Sequence, residues 1–126
     1  MAQIVDLDIR PVRVDVGVDT YSDMEYTMLL QDDSGADVDL SDYYTAEMQI
    51  RRYPGAKGVY DELTTENGRL EIVPHTNMIK LKFPASVTEG YKFSRAVYDL
   101  YIIGETQRWR IAEGGVNVSF GVTRRG

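Results

Sequence analysis

The feature that most limits how this chain can fold is a two-residue alternation along residues 95–122, RAVYDLYIIGETQRWRIAEGGVNVSFGV. Tyr98, Leu100 and Ile102 share one parity, and Val97, Asp99, Tyr101 and Ile103 share the other. Side chains two apart on a strand lie on the same face, so this stretch carries one apolar and one mixed face. The residues Gly104, Glu105, Thr106 and Gln107 form a short polar turn, with a glycine for a positive φ. Trp109 and Ile111 then fall on one parity, with Arg108 and Arg110 on the other. Gly114 and Gly115 interrupt, and Val116, Val118 and Phe120 resume the alternation on the opposite parity. A glycine pair at this point predicts a bulge or bend within a sheet. Such a pattern requires a sheet with one buried face, and nothing in it is catalytic.

The same period recurs upstream. Residues 3–18 alternate on both sides of Pro11, which cannot donate to a ladder, and this predicts a short arm or edge strand followed by a second strand. Met24, Tyr26, Met28 and Leu30 form the inward parity of a further strand, closed by the turn chemistry of Asp33-Ser34-Gly35. Val38 and Leu40 are apolar anchors in a loop. Residues 45–52 place Ala46, Met48 and Ile50 on one face. Residues 59–65 read as a strand with Val59 and Leu63 inward. The Asn67-Gly68 pair that follows is the strongest hairpin signal in the chain. Leu70 and Ile72 come next, then Ile79, Leu81 and Phe83 with Lys80 and Lys82 outward, then one helical turn at residues 86–90 with a glycine stop. About eight short strands, with turns every 8–12 residues or so, predict an all-β, antiparallel β-sandwich of immunoglobulin-like architecture. The expected organisation is an N-terminal arm or edge strand over residues 1–18 and one β-sandwich domain over residues 19–126.

Composition excludes several function classes. The 126 residues contain no cysteine, so neither a disulfide framework nor a thiolate metal site can form; this fits folding in a reducing cytosol. The start of the chain has no basic segment followed by a long apolar run, so neither a signal peptide nor a membrane span is expected. The net charge is −6 and unevenly spread: residues 1–63 carry 14 acidic and 5 basic side chains, residues 64–126 carry 6 and 9. This asymmetry could drive head-to-tail contact between copies, but the expectation is that interleaved strands mix the charges. The acidic balance argues against nucleic acid as a partner.

No constellation of residues carries chemistry. His75 is the only histidine and is expected on a surface loop, which removes most triad and zinc arrangements. The acidic run at residues 32–39 lacks the spacing of a calcium loop and reads as a solvated hairpin end. Asp61, Glu62 and Asp99 show no sign of the paired carboxyls of glycoside hydrolysis. The glycines match no phosphate-binding spacing. No catalytic residue, cofactor or metal ligand is assigned. Nine tyrosines serve mainly as strand filler, but Tyr43, Tyr44, Tyr53, Tyr91, Tyr101 and Trp109 could form an exposed aromatic patch suited to sugars or protein interfaces.

Several stretches in order resemble small virion structural proteins of tailed bacteriophages: DLSDYYTAEMQIRR (39–52), ELTTENGRLEI (62–72), IKLKFPASVTEG (79–90) and AVYDLYIIG with RWRIAEGGVNVSFGVTR (96–124). The similarity covers roughly residues 20–124, and the first 18 residues match less well. It implies an immunoglobulin-like sandwich in the virion, in a tail, neck, baseplate or fibre-attachment setting, assembled in the host cytoplasm. The expected partners are other virion proteins and copies of the chain itself, with no nucleic acid and no membrane. The expected contact residues are Ile4, Val5, Leu7 and Ile9 of the arm, the aromatics Tyr43, Tyr53, Tyr101 and Trp109, and Arg124 and Arg125 at the C-terminus. Two other functions fit the same fold: a capsid decoration protein, or a carbohydrate-binding module.

Overall fold

The structure, a computed structural model, describes residues 11–32 and 34–123. These residues form nine strands and one helical turn: β1 (Val12–Arg13), β2 (Val16–Asp19), β3 (Met24–Leu29), β4 (Tyr43–Arg51), β5 (Asp61–Thr64), β6 (Leu70–Ile72), β7 (Met78–Phe83), α1 (Ala85–Thr88), β8 (Arg95–Gly104) and β9 (Arg108–Ser119). The larger sheet has the order β1-β9-β8-β4-β5, with β2 also on β9, and the smaller has the order β3-β7-β6. The fold is all-β and sandwich-like, as the alternation predicts. Its larger sheet is mixed, because β1 and β2 run parallel to β9 while the other neighbours are antiparallel.

The inward parity of each strand builds the core. Met48 and Ile50 of β4, Leu63 of β5, Ile79, Leu81 and Phe83 of β7, and Leu100 and Ile102 of β8 are essentially inaccessible to solvent. Each such side chain contributes about 1.5–3 kcal/mol by leaving water. Val38 and Leu40 are buried as loop anchors, as expected. The expected inward Val59 is instead 41% exposed, because β5 begins only at Asp61.

Two bulges correct the parity. Between Leu100 and Tyr101 the partner residue on β9 jumps from Ala112 to Arg110, so Ile111 is the extra residue. Ile111 and Ala112 are consequently both buried. The bulge expected at Gly114-Gly115 therefore lies three residues earlier, at Ile111. A second irregularity lies between Tyr43 and Thr45 of β4; it turns Tyr43 inward together with Ala46 and leaves Tyr44 outside.

Gly114 has a different task. A Cβ there would lie 2.2 Å from the Val14 carbonyl oxygen, so the backbone between β1 and β2 can cross only a residue without a side chain. Two hydrogen bonds hold this crossing: the Tyr98 hydroxyl donates to the Val14 carbonyl, and the Gly115 N–H donates to Asp15 Oδ1 at 2.8 Å. On the far side of β2, the Tyr26 hydroxyl donates to the Gly17 carbonyl and accepts from the Gly17 N–H at 3.2 Å, tying the smaller sheet to the larger.

The Asn67-Gly68 turn forms, with Gly68 at φ 77° and the Asn67 side chain bonded to the Thr64 and Arg69 N–H groups. It does not close a hairpin. β5 pairs with β4 and β6 with β7, so the turn carries the chain from one sheet to the other. The crossing is locked by Arg69, whose guanidinium meets Asp61 at 2.8 Å and donates through Nε to the Lys82 carbonyl at 2.8 Å. The Tyr91 hydroxyl donates to the same carboxylate. The Arg69 and Asp61 side chains are only 12% and 14% exposed, so removal of either partner leaves a poorly solvated charge, at a cost of about 3–5 kcal/mol.

Gly114→Ala should displace the first strand and destabilise the fold by about 1–3 kcal/mol, read as a lower denaturation midpoint in urea. Burial, with the Asp15 carboxylate adding to it, pushes the Tyr98 hydroxyl up to about 12. Burial and then the hydrogen bond to Asp61 raise Tyr91 as well. Both groups are neutral when protonated, so their contribution is full below the unfolded tyrosine value of about 10 and is lost as pH rises through the folded value. Urea unfolding repeated from pH 8 to 12 should show stability falling above pH 10, with a shallower fall in Tyr98→Phe.

Candidate interaction surface

The outward parity of β4, β8 and β9 forms one continuous face. Its centre carries Gln49, Val97, Asp99 and Tyr101, all half-buried. Arg108 stacks over the Tyr101 ring at 4.1 Å from its centroid and reaches Glu47 at 3.7 Å. Arg110 pairs with Glu113 at 3.5 Å, three residues along the same strand. Arg51 donates to the Ala56 carbonyl at 2.6 Å and to Gln49 Oε1 at 2.7 Å, which holds the 52–60 loop against the end of the face. Together these groups surround an open depression of about 580 Å³, with Tyr53 and Pro54 on its rim. Arg13, Arg52 and Arg95 line a second hollow beside it. An open, arginine-rich surface with a stacked tyrosine suits docking of a broad partner: arginine and tyrosine are the residue types that anchor interfaces.

The opposite charge gathers at one end of the sandwich. The connections at 30–42, 73–77 and 104–107 lie together there and contain no lysine or arginine. Asp32 accepts from the Ser34 hydroxyl and from the N–H groups of Ala36, Ser34 and Gly35, which hold its carboxyl below its ordinary value. The Ser41 hydroxyl and N–H do the same for Asp39. The strands mix the charges of the two halves, as expected: β8 and β9 lie between β1 and β4, and the arginines of the face come from both halves. The acidic loops nonetheless share one end, and on the face the arginines of β1, β4, β8 and β9 outnumber the carboxylates of Asp15, Glu47, Asp99 and Glu113.

A serine, a histidine and an aspartate also meet at this end. Ser41 Oγ lies 2.9 Å from His75 Nδ1 and donates its proton to Asp39. In acyl transfer the serine proton must pass to the ring nitrogen and the carboxylate must hold the far side of the ring. Here the serine stands between the two, so its proton is committed to the carboxylate. His75 is exposed, with φ 63°, in keeping with its expected loop position. Among the described residues no group of three or more histidine, cysteine, aspartate or glutamate side chains could hold a metal ion. Among the described residues no helix is long and apolar enough to cross a membrane.

The expected aromatic patch does not assemble. Tyr43 is 6% exposed, turned inward by the β4 bulge, and its hydroxyl donates to Gln107 at 3.2 Å. Tyr91 is buried against Asp61. Trp109 lies on the inner parity of β9 and packs against the core. Tyr44 and Tyr53 are exposed at opposite ends of β4, and of these aromatics only Tyr53 and Tyr101 line the depression on the face. Ile4, Val5, Leu7, Ile9, Arg124 and Arg125 lie outside the described residues. A different aromatic group is present: Tyr60 stacks on Phe93 at 4.5 Å, Phe93 lies 4.8 Å from Tyr91, and an open hollow of about 250 Å³ adjoins them. Tyr60 and Phe93 sit in irregular segments, so no periodicity marks them. Compared with known proteins, the chain matches no family model and no curated protein.

Because Arg108 and Arg110 are exposed and their ion pairs solvated, truncating both to alanine should change folding stability by less than about 1 kcal/mol. A thermal melt that instead falls steeply would mark these side chains as structural and remove them from the docking face.

Proposed function

We propose that the chain is a non-enzymatic structural component of a tailed-phage virion, making protein–protein contacts in the tail, neck or baseplate region. The observation that carries this reading is the outer face of the larger sheet. It has an arginine-stacked tyrosine at its centre and an open depression over three strands, which suits a partner surface better than an enclosed small molecule. The strand order adds support. An order of β9-β8-β4-β5 in one sheet and β3-β7-β6 in the other is what an immunoglobulin-like sandwich of the variable type would need, which supports the reading. The stretches that resemble phage virion proteins span β4, the turn between the sheets, β7 with α1, and β8 with β9. Many copies in a particle would give avidity without a large single interface.

A carbohydrate-binding role is the second reading, favoured by the Tyr60–Phe93 stack and its open hollow. Purified particles carrying a tagged copy of the chain, imaged with a label on the tag, separate the possibilities. Label on the tail, neck or baseplate is the expected result. Label over the shell would place the chain among capsid decoration proteins, and absence from washed particles would overturn the virion reading. Glycan binding that is lost in Tyr60→Ala would favour the second reading.

A further inference from the structure

The two charge poles described above belong to one molecule, and they are complementary. Asp37, Asp42 and Glu105 are exposed at the acidic end, beside the ionised Asp32 and Asp39. On the outer face of the larger sheet, Arg52 and Arg95 make no ion pair with any described residue, and the ion pairs of Arg108 and Arg110 are exposed, at 3.7 and 3.5 Å. Resting on the assembly reading, we propose that the partner seated on this face is a second copy of the chain, docked by its acidic end.

The charge pattern selects this geometry over the symmetric ones. The face carries six arginines against the carboxylates of Asp15, Glu47, Asp99 and Glu113, so a twofold face-to-face contact would oppose two net-cationic surfaces and an end-to-end contact would oppose carboxylates; like charge facing like charge disfavours both. Contact of end to face pairs opposite charges and uses two different patches. A heterologous contact of this kind repeats from copy to copy and yields a ring if the rotation closes, or a filament if it does not. Tyr101 under Arg108 gives the cationic face an apolar floor, so docking carboxylates would meet guanidiniums already partly shielded from water. Both poles occur at equal stoichiometry in any preparation of the protein, so association needs no second component.

Charge exchange tests this with the whole 126-residue chain. One variant carries Arg108→Glu and Arg110→Glu, the other Asp37→Lys and Asp42→Lys; all four positions are exposed. Sedimentation is run at about 10 mM salt, where the Debye length is about 30 Å, and at about 1 M, where it is about 3 Å. The wild type should grow in mass with concentration at low salt and return to monomer at high salt. Each variant alone should remain monomeric, since its two poles then share a sign. An equimolar mixture should associate as the wild type does, because each variant's altered pole meets the other's complement. If circular dichroism shows either double variant unfolded, Arg95→Glu and Glu105→Lys, also exposed, take their places. A wild type that stays monomeric at low salt, a variant that associates alone, or a mixture that does not associate would each overturn the head-to-face contact. None of these outcomes bears on where the chain sits in a particle, which the labelled-particle experiment decides separately.

Discussion

Strand β9 is the constraint on which the rest of the sandwich depends. It hydrogen-bonds to β8 on one side, running antiparallel, and to β1 and β2 on the other, running parallel. Its inward residues Ile111, Ala112, Val116 and Val118 close the core along one flank. A strand with neighbours on both sides cannot slip its register without turning an entire apolar face to water. The bulge at Ile111 shifts the parity once, and the glycine at 114 lets the incoming chain cross where a side chain would collide.

From this arrangement the two contact regions take their positions. Because β1 and β2 arrive at the edge of the larger sheet, its outer face over β9, β8 and β4 stays uncovered by any described element. The side chains opposite the core parity of those strands are then free to be arginine, tyrosine and glutamate. The two antiparallel hairpin directions send the 30–42, 73–77 and 104–107 connections to a common end, where the acidic residues concentrate. The gathering of carboxylates at that end is thus a result of topology as much as of composition.

Much of the fold was legible in the residues. Alternation marked the inward faces of β4, β7 and β8, and proline and glycine marked the helical turn after β7. The failures have physical causes. Asn67-Gly68 supplies tight-turn geometry, but turn chemistry does not determine which partner each flanking strand takes. The buried Arg69–Asp61 pair, formed by residues that look like solvated charges, directs the chain across the sandwich. Val59 shares the parity of Leu63 but precedes the first ladder contact of β5. Tyr43 and Gly114 depend on a bulge and a backbone crossing, both of which are set by a distant strand.

The candidate face was only partly legible. Tyr53 and Tyr101 lie on it, yet Arg51, Arg108 and Arg110 matter through convergence of three strands that no local pattern reports. The most direct measurement of the account is the set of interstrand nuclear Overhauser effects in isotope-labelled protein. Parallel pairing requires contacts of Gly17 with Asn117 and of Val18 with Val118, alongside antiparallel contacts of Val97 with Gly115. Their presence would establish β9 as the shared strand. An antiparallel pattern between residues 16–19 and 116–119, or no contact at all, would contradict it and with it the uncovered face.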